Sequence, residues 1–540
     1  MRSSTFLCSA LVALCVASGC NNATIGGETD GGTDEDMSQS GVSFDVSPAA
    51  QQTISVTTGQ QTPTVMYSAT LDGQPCSAVW SVDRGDIGYI SAGPSSTALF
   101  SPRGSAGGLV TVRASCSGQS LTRQIIVNLS GTQNGVNTSV PGQANQVPKT
   151  VGDLTSGGGV GGVGGEGLGG AVTDPATQTA LMSPTSNGSA QGLTFLYPYN
   201  GTVFPRGILA PLLMWRWTPG DADAIKIELS NTSGSFTWSG TFGRPAILAT
   251  TKGPFIRHPI PQDVWEMATS SAGGRTPDGK PEKLTLKVTL AKGGVGYGPI
   301  TQTWTVAPAR LTGTIYYQSY GTLLAKNLGG AVGGDKMFGG AILSIRVGDT
   351  GPKLLAGANG AEAQCRTCHS VAANGSQLVT QRGDNYGVSA GYTIKPSGVT
   401  EQTLANGATF PAMSPDGSLA LSPTGQLLTL PTANMSQAVT GLAAISSNLG
   451  TPAFGPSGSL LAFNPMASTS ITNPTQKLVV TGFSAANRSV SNPVVVVDDT
   501  GQPAEKRPGW AAVFPDSNSV IFHHQLKAGL DGNGDGAMYT

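Results

Sequence analysis

Apolar and polar positions alternate in short runs along much of this chain, and Gly, Pro and Ser break the runs. Val42-Ser43-Phe44-Asp45-Val46, Ala78-Val79-Trp80-Ser81-Val82, Leu109 to Ala114 and Gln124 to Leu129 follow this pattern, as does Thr64 to Leu71 more loosely. The period returns in Ile225-Lys226-Ile227-Glu228-Leu229 and in Leu284 to Leu290. Successive side chains of a strand point to opposite faces, so period two predicts half-buried strands. Short strands separated by turn residues predict one β-sandwich over 42–130 and a second over 192–310. Between them, 131–191 centres on Ser156-Gly157-Gly158-Gly159-Val160-Gly161-Gly162-Val163. Such a stretch buries too little surface to offset its ordering entropy, so it reads as a linker.

After Thr314 a repeat appears. Ala372-Ala373-Asn374-Gly375-Ser376 returns as Ser414-Pro415-Asp416-Gly417-Ser418, as Gly455-Pro456-Ser457-Gly458-Ser459 and as Phe514-Pro515-Asp516-Ser517-Asn518, with starts 42, 41 and 59 residues apart. A tight turn followed by a strand, recurring at this period, is what four-stranded propeller blades give. Intervening strands are expected at Ile342 to Val347, Gln426 to Leu430 and Leu478 to Phe483. The Ser-Pro-Asp-Gly-Ser turns resemble TolB-like propeller repeats of exported bacterial proteins. That resemblance implies a partner-binding propeller over 311–540 and brings no catalytic residues. Trp80-Ser81-Val82 resembles bacterial Ig-like domains, and Tyr197-Pro198-Tyr199-Asn200-Gly201-Thr202 resembles Ig-like or fibronectin-type modules. The expected class is all-β: two Ig-like β-sandwiches followed by a β-propeller-like domain. Met538-Tyr539-Thr540 reads as a strand cut short, so a truncated propeller is part of the expectation.

The N-terminus changes the compartment. Arg2, the apolar run Phe6 to Val16 and the small residues Ala17-Ser18-Gly19 before Cys20 form an export signal too short to span a bilayer. This ending resembles the lipobox of bacterial lipoproteins, which implies signal cleavage after residue 19, a lipid on Cys20 and a lipid bilayer as partner. The other reading is an ordinary signal peptide with a stray cysteine. Asn21 is not the aspartate that retains some lipoproteins in the inner membrane, which favours the outer membrane. Residues 21–41 are Gly, Asp, Thr, Ser and Glu with almost nothing apolar, as in a flexible tether. With 11% charged residues and a net charge of −1, the chain offers no basic face for nucleic acid.

Of the seven cysteines, Cys8 and Cys15 leave with the signal and Cys20 takes lipid, which leaves two pairs. In an oxidising compartment Cys76 and Cys116 read as a disulfide; as a redox pair they lack C-x-x-C spacing and a neighbouring His. The other pair lies in Gln364-Cys365-Arg366-Thr367-Cys368-His369. C-x-x-C-H is the attachment pattern of haem c: each thiol adds across a vinyl group, and the adjacent imidazole ligates the iron. Three other readings stand beside it: a disulfide clip, a zinc site and chance. Zinc lacks a fourth ligand nearby. His369 lies three residues before Ala372, so the motif is expected as an insertion at the start of a blade strand.

As distal haem ligand the spacing points to Met413, directly before the next turn, with Met337, His523 and His524 as weaker choices; Met413 also reads as a core residue between blades. His258 stands beside no second ligand and reads as a loop or edge-strand residue. Asp531, Asn533 and Asp535, at alternate positions before Gly536, resemble the first half of a calcium loop, although a polar turn explains them too. No Gly-x-Ser-x-Gly, H-E-x-x-H or paired carboxylates occur in a strand context that would make a hydrolase. The expected function is electron transfer at the cell envelope through one covalent haem c, towards an unidentified redox or protein partner. The alternative is a non-enzymatic scaffold whose propeller binds a protein or glycan and whose Cys365/Cys368 pair is a clip.

Overall fold

The computed structural model describes residues 42–91, 93–156, 165–276, 278–319, 340–349, 351–357, 365–382, 388–408, 410–466, 475–525 and 536–540. The export signal with Cys20, the tether, the Gly-rich centre 157–164, Met337, and Asp531, Asn533 and Asp535 lie outside those residues. The fold is all-β. Its described strands form eight sheets.

In the first sandwich one sheet runs Phe44–Ser47, Val65–Leu71, Thr97–Pro102, Gly88–Ile90. Facing it are Val79–Val82, Gly108–Cys116, Gln119–Asn134 and Gln52–Thr57. Alternation decides which side chains enter: Val110, Val112 and Ala114 are buried along one strand, and Ile125, Val127 and Leu129 along its neighbour. Each buried Val, Ile or Leu among them contributes roughly 1.5–3 kcal/mol by leaving water. Trp80 is buried beside Tyr67, with ring centroids 6.3 Å apart, and its Nε1–H donates to the Ser95 carbonyl at 2.8 Å. The Cys76–Cys116 disulfide is present. It joins the end of the hairpin Val65–Pro75 on one sheet to the strand Gly108–Cys116 on the other.

Two expectations need correcting here. The sandwiches are not separate bodies on a spacer, because Gln119–Asn134 continues past residue 130 and pairs in parallel with Phe236–Gly243, from Leu129↔Phe236 to Asn134↔Thr241. The result is one nine-stranded sheet and one hydrophobic core running from Val46 to Val306. Gly131 marks the junction: a Cβ there would lie 2.7 Å from Thr58 Oγ1 and 3.1 Å from Trp238 Cδ1, so only glycine allows the close approach. The described flanks of the linker are also folded. Helices span Pro141–Asn145, Val151–Ser156 and Pro175–Met182, and Leu168, Val172 and Leu181 are buried. Glycine content alone misjudged these flanks, since their buried apolar side chains and specific hydrogen bonds offset the entropy of ordering them.

His258 lies on an edge strand, as expected, since Arg257–Pro259 ends the sheet of Thr194–Tyr197 and Leu212–Arg216. It sits in Arg257–Pro259, fully buried, and its ring centroid is 4.6 Å from that of Phe242. Its Nε2 accepts the Gly169 N–H at 3.0 Å, while neighbouring Arg257 pairs with buried Glu166. These two adjacent residues hold the end of the former linker. A helix without a strand-like pattern, Gln262–Ala272, places Val264, Trp265, Ala268 and Ala272 in the same core.

The C-terminal part contains five consecutive antiparallel meanders. The first is Thr314–Ser319, Ala341–Arg346, Lys353–Ala356; the second is Arg366–Val371, Gln377–Arg382, Ser389–Lys395, Gly398–Thr403. The third spans Ala412 to Ala438, the fourth Asn448 to Asp498 and the fifth Arg507 to Tyr539. The repeated turns join first to second strands. In the third sheet Asp416 Oδ1 accepts the Ser418 N–H at 3.1 Å, and Gly417 adopts φ +75°. Each sheet packs on the next: Ile342 meets Leu378 and Tyr392, Ala372 and Val379 meet Ala420 and Leu428, Leu421 and Leu427 meet Leu461 and Phe463, and Leu478 meets Phe522. Neighbouring turns are also tied, with Asn374 N–H donating to the Pro415 carbonyl at 3.1 Å. Sheets stacked face to face in chain order make this region propeller-like.

Candidate functional site

The C-x-x-C-H motif is not an insertion. It forms the first, innermost strand of the second sheet, Arg366–Val371. Pairing with Gln377–Arg382 slips between Thr367 and Ser370, so Cys368 and His369 together face a single partner position, and Cys368 takes φ +53°. This is a β-bulge. In a regular strand neighbouring side chains point apart, whereas here Cys368 and His369 both line one cavity of about 410 Å³.

The other sheets supply the rest of the wall from matching places. Phe410 (φ +48°), Thr451 (φ +42°) and Trp510 (φ +51°) sit at the innermost strands of the third, fourth and fifth sheets, and the pairing slips beside Thr451 and Trp510 as well. Gln318, from the first sheet, completes the ring. Its Oε1 accepts the Cys368 N–H at 3.2 Å, and its buried Nε2 has no acceptor among the described residues. The Phe410 and Trp510 rings meet edge to face at 5.6 Å, Trp510 N–H donates to Thr451 Oγ1 at 2.9 Å, and Ser370 Oγ donates to the Pro411 carbonyl at 2.7 Å. The site is a funnel on the axis of the five sheets, walled mainly by apolar and aromatic groups.

Sequence reasoning missed Phe410, Thr451, Trp510 and Gln318. A signal for three of them was present: Cys368, Phe410, Thr451 and Trp510 each stand four residues before the repeated turn of their own sheet. Aligning the repeats one element further upstream would have found them.

Cys365 lies behind the funnel. It is 2% exposed, its Sγ accepts the Gly340 N–H at 3.2 Å, and its carbonyl accepts from Arg366 at 3.1 Å. Arg366, 1% exposed, anchors the strand through Tyr392 Oη at 2.7 Å and Glu401 Oε1 at 2.5 Å. Burial raises the Cys365 thiol pKa against the lowering effect of the Gly340 N–H and Arg366, and burial raises that of Cys368 too. Burial lowers the pKa of His369, while a hydrogen bond to the Tyr316 backbone carbonyl pulls the other way. The outcome is two protonated thiols and a neutral imidazole near pH 7.

Cys365 and Cys368 are free thiols. Met413 is corrected as a distal ligand, since it is buried between the second and third sheets beside Ala372 and Leu428, away from the funnel wall. His523 and His524 lie on the second strand of the fifth sheet, and His524 Nε2 contacts Asp499 Oδ2 at 2.5 Å. Among the described residues no group of three His, Cys, Asp or Glu could hold a metal ion. No described helix is long and apolar enough to cross a membrane.

Of the haem c attachment motif, Cys368 and His369 line the cavity and Cys365 does not. A neutral imidazole whose second nitrogen is held by a backbone carbonyl is the usual form of an iron-ligating histidine. Next to it stand a thiol and an aromatic, apolar wall. Cys365 adjoins this wall through Gly340, where a Cβ would lie 2.6 Å from Gln318 Nε2.

No family model matches the chain, and no curated protein matches it either. Among solved structures it is similar to TolB from Acinetobacter baumannii, with 11% identity, 84% of this chain and 75% of that chain covered, and a TM-score of 0.26. A putative 6-phosphogluconolactonase from Bacteroides fragilis gives 12% identity, covers 56% of this chain and 87% of its own, and has a TM-score of 0.22. A titin domain covers 16% of this chain and 92% of its own, at 17% identity and a TM-score of 0.13. Likenesses this low carry no argument about the chain, so the fold description rests on the sheets themselves.

Proposed function

We propose that this chain carries one covalent haem c in the funnel of a TolB-like propeller and transfers electrons at the cell envelope, as an exported protein lipid-anchored through Cys20. The reading rests on one observation: the bulge at Cys368 brings thiol and imidazole together onto the wall of an aromatic, apolar cavity. Cys365 and Cys368 would form the thioethers, and His369 would ligate the iron from the chain's side. Each attachment would form one S–C bond and move the thiol proton to the other vinyl carbon, with no oxidant needed. The haem would supply a reversible one-electron iron couple, while burial and the surrounding dipoles set its potential. Because Cys365 is buried, its attachment would require the second sheet to be open at Gly340. Asp531, Asn533 and Asp535 remain a proposed calcium loop on the same protein.

The test is a haem-stained denaturing gel of protein exported from a host that matures cytochromes c. Haem that survives denaturation, and vanishes in Cys365→Ala/Cys368→Ala, supports the reading. A folded, colourless protein from that host would sink it and leave the scaffold reading.

A further inference from the structure

We infer that the cleft where the two sandwiches fuse is a binding site for a neutral saccharide of a few rings. It is separate from the funnel and stands whether or not haem is attached there. The cleft has a volume of about 750 Å³. Small-ligand sites hold roughly 300–1,000 Å³ and favour the seams between domains. Three segments meet in this one: Thr58 and Ser105 from the first sandwich, Gln133 from the joining strand Gln119–Asn134, and Met267 from the helix Gln262–Ala272. The six rungs from Leu129↔Phe236 to Asn134↔Thr241 fix the seam, so binding costs little ordering entropy.

The charged side chains of the lining balance, with Arg103, Arg206 and Arg310 against Asp86, Asp263 and Glu266. Arg206 Nη2 lies 3.0 Å from Asp86 Oδ2, and Arg310 Nη2 lies 3.6 Å from Glu266 Oε2. A charged ligand meets no net opposite charge here and has to displace a partner from one of these pairs. A neutral ligand keeps them. A relay of planar amides then fixes the third carboxylate. Gln133 Nε2 donates to Gln143 Oε1 at 2.5 Å, and buried Gln143 donates through Nε2 to Asp263 Oδ1 at 2.9 Å and Oδ2 at 3.1 Å. A carboxylate has about four acceptor sites, so Asp263 keeps capacity for further donors while its orientation is set. Hydroxyl groups answer such a wall, because each can donate to a carboxylate and accept from a guanidinium. The same lining includes Trp238, Val264 and Met267. These take apolar C–H surface out of water. A rim of hydroxyls around C–H faces is what a sugar ring presents.

The test is calorimetric titration of the full chain with maltotriose, cellotriose, mannotriose and chitotriose, with trilysine and citrate as charged controls. At least one trisaccharide is expected to bind at a single site, in the millimolar range or tighter, and neither control to bind. Ser105 is exposed at the cleft, so Ser105→Trp should plug it and abolish that binding. Asp263→Asn keeps the shape and should weaken binding about fivefold, since charge-assisted hydrogen bonds are roughly twice as strong as neutral ones. Circular dichroism and the thermal midpoint confirm that each variant is folded. Failure of all four sugars to bind overturns the inference. Sugar binding that both variants retain overturns it too, because the sugar then sits elsewhere. Binding of trilysine or citrate that Ser105→Trp removes overturns the neutral class.

Discussion

Phe410 and Trp510 touch edge to face, with centroids 5.6 Å apart, although they belong to the third and fifth sheets and the whole fourth sheet lies between them in sequence. Only residues at the narrow end of converging sheets can meet in this way. Such an aromatic pair contributes about 1 kcal/mol beyond its burial. A double-mutant cycle of Phe410→Ala and Trp510→Ala, read by urea denaturation, should therefore show a coupling of about 1 kcal/mol. Strict additivity of the two losses would mean that the rings do not meet in solution.

Cys368 holds a left-handed backbone conformation, which costs an L-residue roughly 1–2 kcal/mol. Glycine escapes that cost. Cys368→Gly is expected to be more stable than Cys368→Ala by about 1 kcal/mol in the same denaturation assay. Equal stability would show that the bulge relaxes.

Arg366 is fully buried and depends on Tyr392 Oη, 2.7 Å away, as one of its acceptors. Removing that oxygen in Tyr392→Phe should cost about 1.5–3 kcal/mol, the usual loss for a hydrogen bond to a charged group. It should also lower the yield of haem-stained protein, because the strand carrying Cys368 and His369 is anchored there. A thermal unfolding midpoint equal to that of the parent would argue against the anchor.

His258 is driven by burial to a pKa of about 3, against 6.5 for the ordinary imidazole. The unfolded chain therefore binds a proton below about pH 6.5 that the folded chain refuses. Stability from this group is complete above 6.5 and is lost as pH falls towards 3, at about 1.4 kcal/mol per pH unit. His258→Gln, which keeps an acceptor for the Gly169 N–H, should flatten the fall in stability between pH 6.5 and 4. Parallel curves for the two proteins would exclude His258 as its source.

The Cys76–Cys116 bond closes a loop with a sequence separation of 40 residues. Chain-entropy estimates for that length give about 4 kcal/mol. Cys76→Ser/Cys116→Ser should lower the stability of the fused sandwiches by about that amount. A loss under 1 kcal/mol would mean that the reduced chain stays ordered on its own.

The sequence revealed the parts of this fold that follow from local repetition. Period-two runs such as Leu284 to Leu290 and the Pro-Asp-Gly turn at Ser414 to Ser418 are local signals, and both fell where strands and hairpins were expected. The joining of the sandwiches was hidden, because pairing of Leu129 with Phe236 depends on residues over a hundred positions apart and leaves no periodic trace. Glycine-rich composition around residue 160 concealed the partners, Arg257 and His258, that order its flanks. At the candidate site the chemistry-bearing triad Cys365, Cys368 and His369 was visible from its spacing. Its geometry was not, since one bulge turns Cys368 and His369 to the same side. Met413 shows the converse: matching repeat positions placed it correctly in the propeller, but on the face that packs rather than the face that lines the axis.

The strand Gln119–Asn134 has a mechanical consequence. Six rungs, from Leu129↔Phe236 to Asn134↔Thr241, would have to part at once before either sandwich could swivel on the other. A joint of that kind has no hinge. Force arriving at one sandwich is carried to the next as through a single beam, and the N-terminal half of the molecule works as a stiff strut.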